Sequence, residues 1–307
     1  MRIGIIVNPV HARTHRAHHR LVGLLTALDI RYRTTSTTPE APGSRQAQDL
    51  VDWGAEAVVL LGGDGTLRSA APILATAGVP VLVVPTGTAN VFSRGFGLHT
   101  ARSGLALCED FLHGAVSQAG VPISVAEFLD ASGAVRHEHF LSLAGIGGDA
   151  RAVAAHDRAW GLLGYARGAL LALFAPQLPA RIDGEELEVW SVMAAKTRRP
   201  AGPVPVFPGA EAVSEDLEFL AVVLGPGAAD RRLGEWVGIG AACLRGHPER
   251  DPAMRYWTAR RSTITVSEPA PIELDGDHLG EAVAVEIDTG ELILDVIVPA
   301  ESRSRRR

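Results

Sequence analysis

The chain has 307 residues, of which 47% are hydrophobic and 21% charged; at about 150 residues per domain this length predicts two cores. The apolar content excludes a disordered chain, and 33 glycines and 19 prolines spread along it exclude a collagen-like one. Twenty-nine Lys and Arg against 35 Asp and Glu leave a formal charge of -6, which argues against nucleic acid as the main ligand, because phosphate-backbone affinity rests on clustered basic residues.

Arg2 to Asn8 is a β-branched run ending in Asn-Pro and predicts a buried first strand. A helix follows from Thr14 to Leu28, with Leu21, Leu24, Leu25 and Leu28 on one face. Arg31 to Thr37 reads as a second, polar strand and Ser44 to Trp53 as a second helix. Ala57 to Leu61 is a third strand, apolar throughout, as a strand covered on both faces should be. After Gly62-Gly63-Asp64-Gly65 come the helix Leu67 to Ala77, the strand Val79 to Val84, a second glycine loop and helices reaching to about Gly114. Such alternation predicts a parallel sheet with right-handed crossovers.

From about Val121 the pattern changes to short alternating segments: Val121 to Leu129, Val135 to Ala144, Glu186 to Ala194, Leu217 to Leu224, Arg261 to Ser267, Ala282 to Ile287 and Leu292 to Val298. These predict antiparallel strands. Helical insertions at Asp149 to Phe174 and Ala229 to Leu244 interrupt them, and Arg199 to Gly209 is a Pro- and Gly-rich loop. The expected fold class is α/β plus β. An α/β domain with a parallel sheet covers residues 1–120, a β-sandwich covers 121–300 with a last strand able to return to the first domain, and a basic tail covers 301–307. The cleft between the halves is where a ligand is expected.

The first glycine loop, Gly62-Gly63-Asp64-Gly65-Thr66, stands at the C-terminal end of an apolar strand and opens a helix. Ligands of parallel sheets bind at that edge, and a helix N-terminus offers N–H groups and positive dipole to an anion. The glycines let a phosphate approach the backbone, and Thr66 adds a hydroxyl. A carboxylate amid a phosphate loop repels the ligand unless a divalent cation intervenes, so Asp64 reads as a metal-linked residue; a tight turn with Asp64 capping the helix is the alternative. The second loop, Pro85 to Arg94, repeats the arrangement: Gly87 frees the backbone, Thr88 can contact a phosphate and Asn90 offers an amide. Neither loop has the Walker lysine or the three glycines of the dinucleotide fingerprint.

Taken together, Asn8-Pro9, GGDGTL at Gly62 to Leu67, GTANVFSR at Gly87 to Arg94, AGIGGDA at Ala144 to Ala150 and Asp275-Gly276-Asp277 resemble the diacylglycerol kinase catalytic-domain superfamily, which includes bacterial lipid kinases and sphingosine and ceramide kinases. GGDGT alone is shared with NAD kinases and phosphofructokinases. The resemblance implies an N-terminal domain similar to that of NAD kinases, a C-terminal β-sandwich, and a site for ATP and Mg2+. Its nucleotide positions fall on Asn8, Arg13, Thr38, Gly62, Gly63, Asp64, Gly65, Thr66 and Thr88, to which the reading of the second loop adds Gly87 and Asn90. It places the general base at Asp275, with Asp277 second, since a hydroxyl attacking a γ-phosphate needs a carboxylate to accept its proton; a hairpin turn between Ile272-Glu273-Leu274 and Ala282 to Ile287 is the alternative reading of these residues. It implies a lipid acceptor at the membrane surface, a cytoplasmic protein peripheral to the inner face, and leaves a homodimer open.

The sequence departs from the family's pattern in places. Ala12 and Arg13 stand where Gly-Lys is frequent, Arg68 where Asn is usual, and Val91 where Asp is frequent. A magnesium site built by relatives before an Asp-Gly turn corresponds here to Phe207 to Leu217, which lacks the Asp-Gly pair; Glu215 and Asp216 are the residues left to bind the ion, with a solvated acidic turn as the alternative. The competing functions are a kinase of a soluble acceptor such as NAD or a polyol, and a catalytically weak nucleotide- or lipid-binding protein. His11, His15, His18 and His19 share a side of the first helix but have no accompanying carboxylate for zinc. The apolar helix from Trp160 to Phe174 fits either a lipid slot or an ordinary core. Cys108 and Cys243 lie far apart, in neither metal nor redox spacing. The N-terminal apolar run is too short for a signal peptide, and Ala159 to Pro176 falls short of the roughly 20 apolar residues of a spanning helix.

Overall fold

A computed structural model describes residues 1–154, 175–200, 202–225 and 229–300. The helical readings over 155–174, the lipid-slot helix among them, and the basic tail 301–307 lie outside the described residues. The chain divides into two compact units, one formed by residues 1–123 with 291 onward, the other by 124–290.

In the first unit a six-stranded sheet has the order β2-β1-β3-β4-β16-β5. Strands β1 (Arg2–Val7), β2 (Arg31–Ser36), β3 (Ala57–Gly62) and β4 (Val81–Pro85) pair in parallel, joined by helices α1 (Ala12–Ala27), α2 (Ser44–Asp52) and α3 (Asp64–Ala77). β3 and β4 are buried along their whole length, as the continuous apolar runs require. One face packs Ala17, Leu21 and Leu25 of α1 and Leu107 and Cys108 of α5 (Ala101–Leu112) on Ile3, Ile5, Val59 and Val84. On the other face Leu50 of α2 presses so close to β1 that a Cβ on Gly4 would stand 2.8 Å from its Cδ1.

Two boundaries differ from expectation. α3 begins at Asp64, three residues before Leu67, because Gly63 takes the extended N-cap conformation and lets the glycine loop itself start the helix. The stretch read as one strand from Val121 to Leu129 is two. β5 (Val116–Pro122) runs antiparallel to β16 (Ile293–Pro299) in the first sheet, and β6 (Ser124–Asp130) belongs to the second unit. The Gly and Pro within β5 conceal it from pattern reading; its place beside β16 supplies the pairing that propensity does not.

The second unit is a ten-stranded antiparallel sheet, with the path β13-β12-β11-β8-β14-β15-β6-β7, in which β13 is Met254–Ala259, and with the hairpin of β9 (Leu178–Ile182) and β10 (Glu185–Val189) attached through β14. The 14-residue β14 (Arg261–Leu274) pairs with β9 through Ile264, Thr265 and Val266 and with β8 (Leu143–Gly147) through Ile272, Glu273 and Leu274, with a register shift between them. A bulged strand that changes partners curves the sheet round one core. Phe128, Phe140, Ile146, Phe219, Ile264 and Val285 meet in it, giving the sandwich-like arrangement. The opposite face of β11 (Ser191–Ala195) and β12 (Leu217–Val222) is covered by the helix α7 (Ala229–Leu244), whose Ile239 and Cys243 pack with Trp190, Met193 and Phe207. Among the described residues no helix is long and apolar enough to cross a membrane.

Two predicted strands are broken. Glu186 to Ala194 divides at Trp190 into β10 and β11, and Val135 to Ala144 divides into β7 (Val135–Phe140) and β8. The second break, at Leu141 and Ser142, has a distant cause: the amides there are drawn to a carboxylate more than 130 residues further along the chain.

Candidate functional site

Asn8, Thr38, the first glycine loop and the second all follow the C-terminal ends of four neighbouring parallel strands, β1, β2, β3 and β4. The fold thus brings the predicted residues of the first unit to the sheet edge where parallel sheets bind ligands. Gly62 ends β3, and its carbonyl accepts the N–H groups of Thr86 at 3.0 Å and Gly87 at 3.1 Å. A Cβ on Gly87 would stand 2.5 Å from the Cα of Gly63, so the two loops lie backbone against backbone and glycine is required there.

Asp64 fixes that contact. Its Oδ2 accepts the N–H of Val91 at 2.9 Å and its Oδ1 the N–H of Phe92 at 3.0 Å, so the carboxylate of the first loop caps α4 (Val91–Gly95) in the second. Burial pushes its pKa up against the pull of those two amides and of Arg94. Asn90 completes the second loop from a left-handed backbone (φ 50°), with its Oδ1 accepting the N–H of Gly87 at 2.9 Å and its Nδ2 donating to the Gly87 carbonyl at 2.6 Å. Arg13 reaches across from α1: Nε donates to the Thr86 carbonyl and Nη2 to that of Gly87, both at 2.6 Å. Asn8 Nδ2 donates to Oγ1 of the buried Thr66 at 3.2 Å, and Thr38 Oγ1 accepts the Ala41 N–H at 3.2 Å. Thr88 is exposed at the loop's tip.

This arrangement suits an anion. α3 has Gly63 as N-cap, which makes no side-chain hydrogen bond, and a helix N-terminus at this sheet edge offers amides and positive dipole to an anion. α4 differs, because Asp64 already caps it. Asp64 therefore spends both oxygens on the protein backbone, as a helix-capping residue does, and Arg13 spends its fork on carbonyls.

In the second unit Asp275 and Gly276 form the two-residue turn between β14 and β15 (Asp277–Asp288), both with positive φ (51° and 84°), as such a hairpin demands. The side chain of Asp275 does more than turn the chain. Its Oδ2 accepts the N–H of Leu141 at 3.0 Å, its Oδ1 those of Ser142 at 2.7 Å and Leu143 at 3.1 Å, and its own N–H donates to the Leu143 carbonyl at 2.8 Å. Asp277 is half-buried at the start of β15.

Residues that sequence reasoning did not single out surround this turn. Glu273, 1% exposed, accepts the Gly276 N–H on Oε2 at 2.8 Å. Asp149 opens α6 (Gly148–Ala154) over Gly145, where a Cβ would run into its carboxylate. Ser191 Oγ has one proton and two acceptors in reach, Asp149 Oδ1 and the Ile146 carbonyl at 3.0 Å. Burial pushes the Asp149 carboxyl up to about 6 against the pull of the Ser191 hydroxyl. The signal for Asp149 was the glycine-rich GGDA stretch; that for Glu273 was its place beside Asp275.

Comparison with known proteins agrees with the geometry. A family model of the diacylglycerol kinase catalytic domain matches residues 2–121. An uncharacterized protein of Synechocystis sp. is 25% identical over 297 residues, covering 89% of this chain; the chain spans 64% of that relative's length. Among solved structures, a Bacillus anthracis protein assigned to the diacylglycerol kinases superposes with a TM-score of 0.71 at 21% identity, covering 98% of this chain and 96% of that one. Yeast NADH kinase complexed with NADH superposes with a TM-score of 0.53 at 11% identity, covering 99% and 85%. At these identities the structural likeness shows the fold. The matched residues 2–121 carry both glycine loops, and over them the chain is similar to the diacylglycerol kinase catalytic domain.

Proposed function

We propose that the chain is a lipid kinase that transfers the γ-phosphate of ATP to the hydroxyl of diacylglycerol or a related lipid, acting at the membrane surface. The observation that carries this reading is the pair of glycine loops, joined through Asp64 at one edge of the parallel sheet in a domain similar to that of this family. The N-terminus of α3, at the junction of the two glycine loops, fits the nucleotide's phosphates. Asp64 and Arg13 position the second loop, and Thr66, held by Asn8, presents the buried end of the first. Thr88 and Arg68 contact phosphate oxygens in this reading.

Among the described residues no cluster of three or more His, Cys, Asp or Glu could hold a metal ion. The magnesium ion accordingly fits as a partner of the nucleotide's own phosphates, where it would neutralise their charge. Asp275 receives the hydroxyl proton in this reading.

The test is γ-labelled ATP with Mg2+ and mixed micelles carrying diacylglycerol, monoacylglycerol, ceramide or sphingosine, with a parallel NAD reaction. Label in one lipid establishes the kinase and names its acceptor. Label in NADP selects the soluble acceptor, and ATP binding without transfer selects the binding protein. Asp275→Asn sets an amide against three backbone N–H groups, so its loss of transfer counts only if ATP affinity and thermal unfolding stay near those of the wild type.

A further inference from the structure

The second unit contains a buried cation that the proposed reaction does not use. Lys196 follows β11, is 1% exposed, and donates from Nζ to the Ser214 carbonyl at 2.6 Å. A lysine so enclosed is rare unless paired. Asp216 and Glu215 bear on it from the loop and Arg260 from beside β14; burial, the largest influence, brings its pKa down to about 8.

The loop that Lys196 holds is tied at its other end as well. Glu218, 8% exposed in β12, accepts the Gly209 N–H on Oε2 at 2.9 Å. A Cβ on Gly209 would stand 3.0 Å from the Oε1 of that carboxylate. The N–H groups of Val206 and Phe207 donate to the Arg198 carbonyl, and Tyr256 Oη donates to the Val206 carbonyl at 2.6 Å. Glu215 lies 76% exposed with its Oε2 on Arg260 Nη1 at 3.2 Å.

This is the stretch where the resemblance implies a magnesium site, and its residues do not fit one. A divalent ion of that kind takes about six oxygen ligands in regular geometry. Here Glu218 is spent on a backbone amide and Glu215 on an arginine, the charge of Asp216 bears on Lys196, and that ammonium already lies against the Ser214 carbonyl. A second cation placed beside it meets like-charge repulsion.

We propose that Lys196 is the resident counter-ion of this loop: its ammonium holds residues 202–216 onto the end of β11, so the loop is ordered without any divalent cation. The inference does not depend on the proposed reaction, and its test uses neither nucleotide nor acceptor. Hydrogen exchange of loop amides and thermal unfolding are measured on the full chain in chelator and in millimolar Mg2+. The wild type is expected to give the same rates and midpoint in both. In Lys196→Met, exchange at Val206, Phe207 and Gly209 is expected to rise by about 10-fold or more, while β14 and β15 keep wild-type rates. Slower loop exchange or a higher midpoint of the wild type in Mg2+ would overturn the proposal, as would unchanged loop exchange in Lys196→Met. If Lys196→Met does not fold, Lys196→Arg, which keeps the cation, with the chelator comparison decides: a protected, Mg2+-insensitive loop supports the counter-ion, a Mg2+-dependent one refutes it.

Discussion

Replacing Asp64 by alanine separates two ways in which this carboxylate could serve phosphate transfer. The side chain joins the glycine loops through the amides of Val91 and Phe92 at 2.9 and 3.0 Å, and Phe92 is 4% exposed. Each amide that loses a charged acceptor costs about 1.5–3 kcal/mol. Part of that is returned, because the ionised carboxylate is itself penalised by burial. The net expectation is a loss of about 2–4 kcal/mol, or about 5–15 °C in the midpoint of a unit of this size. Asp64→Asn keeps one acceptor but turns an NH2 towards the other amide, and should lose about 1–3 kcal/mol. Thermal unfolding and ATP binding in the absence of Mg2+ are the assays. If Asp64 is a clamp, stability and metal-free ATP affinity fall together, since α4 no longer holds the second loop. Unchanged stability and metal-free affinity, with loss only of Mg2+-dependent transfer, would refute the clamp and make Asp64 a metal ligand.

Gly87→Ala forces a Cβ to 2.5 Å from the Cα of Gly63, where neither backbone can yield cheaply; a cost of about 1–3 kcal/mol in unfolding and a sharp loss of ATP affinity are expected, and wild-type affinity would mean that the loops are not apposed. Burial pushes the Asp149 carboxyl up from the ordinary aspartate range to about 6, so the unfolded chain sheds its proton first as pH rises. Stability should therefore fall from about pH 4 to about pH 6, by up to about 3 kcal/mol, and stay lower above; Asp149→Asn should remove that slope in urea titrations. Cys108 is 1% exposed with its thiol pushed up to about 12, and Cys243 is 5% exposed. Neither should react with iodoacetamide at pH 8 in the native protein, and both should react in urea.

Local pattern and distant contact account for what the sequence did and did not disclose. The α/β half was legible because β3 and β4 are continuous apolar runs and each glycine loop sits where a strand passes into a helix. The places of Asn8, Gly62, Gly63 and Gly87 at strand ends, and of Thr66 in the helix that follows, were legible from the local pattern, while a nucleotide role for Asn8 came from the family resemblance alone. The hydrogen bonds of the site were not legible, because those run between loops 27 residues apart for Asp64 and 73 for Arg13. The division of β7 from β8 was hidden for the same reason, being imposed by Asp275 from 134 residues away. Burial of Lys196 escaped notice because nothing in Ala195-Lys196-Thr197 announces that a lysine will turn inward to meet Ser214.

A common design links the two motif carboxylates. Asp64 precedes a glycine and grips two amides of another loop; Asp275 precedes a glycine and grips three. In each case the small neighbour lets the backbone turn sharply, while the carboxylate spans the gap that the turn opens. Loss of activity on removing either group therefore cannot assign it to the chemistry, because the loops it holds would move as well. What separates the roles is a readout on the loop itself. For Asp275 that is hydrogen exchange at Leu141, Ser142 and Leu143: a conservative variant that abolishes transfer while leaving those three amides protected isolates proton acceptance from support. One that frees them identifies a structural residue whose effect on the reaction passes through β8.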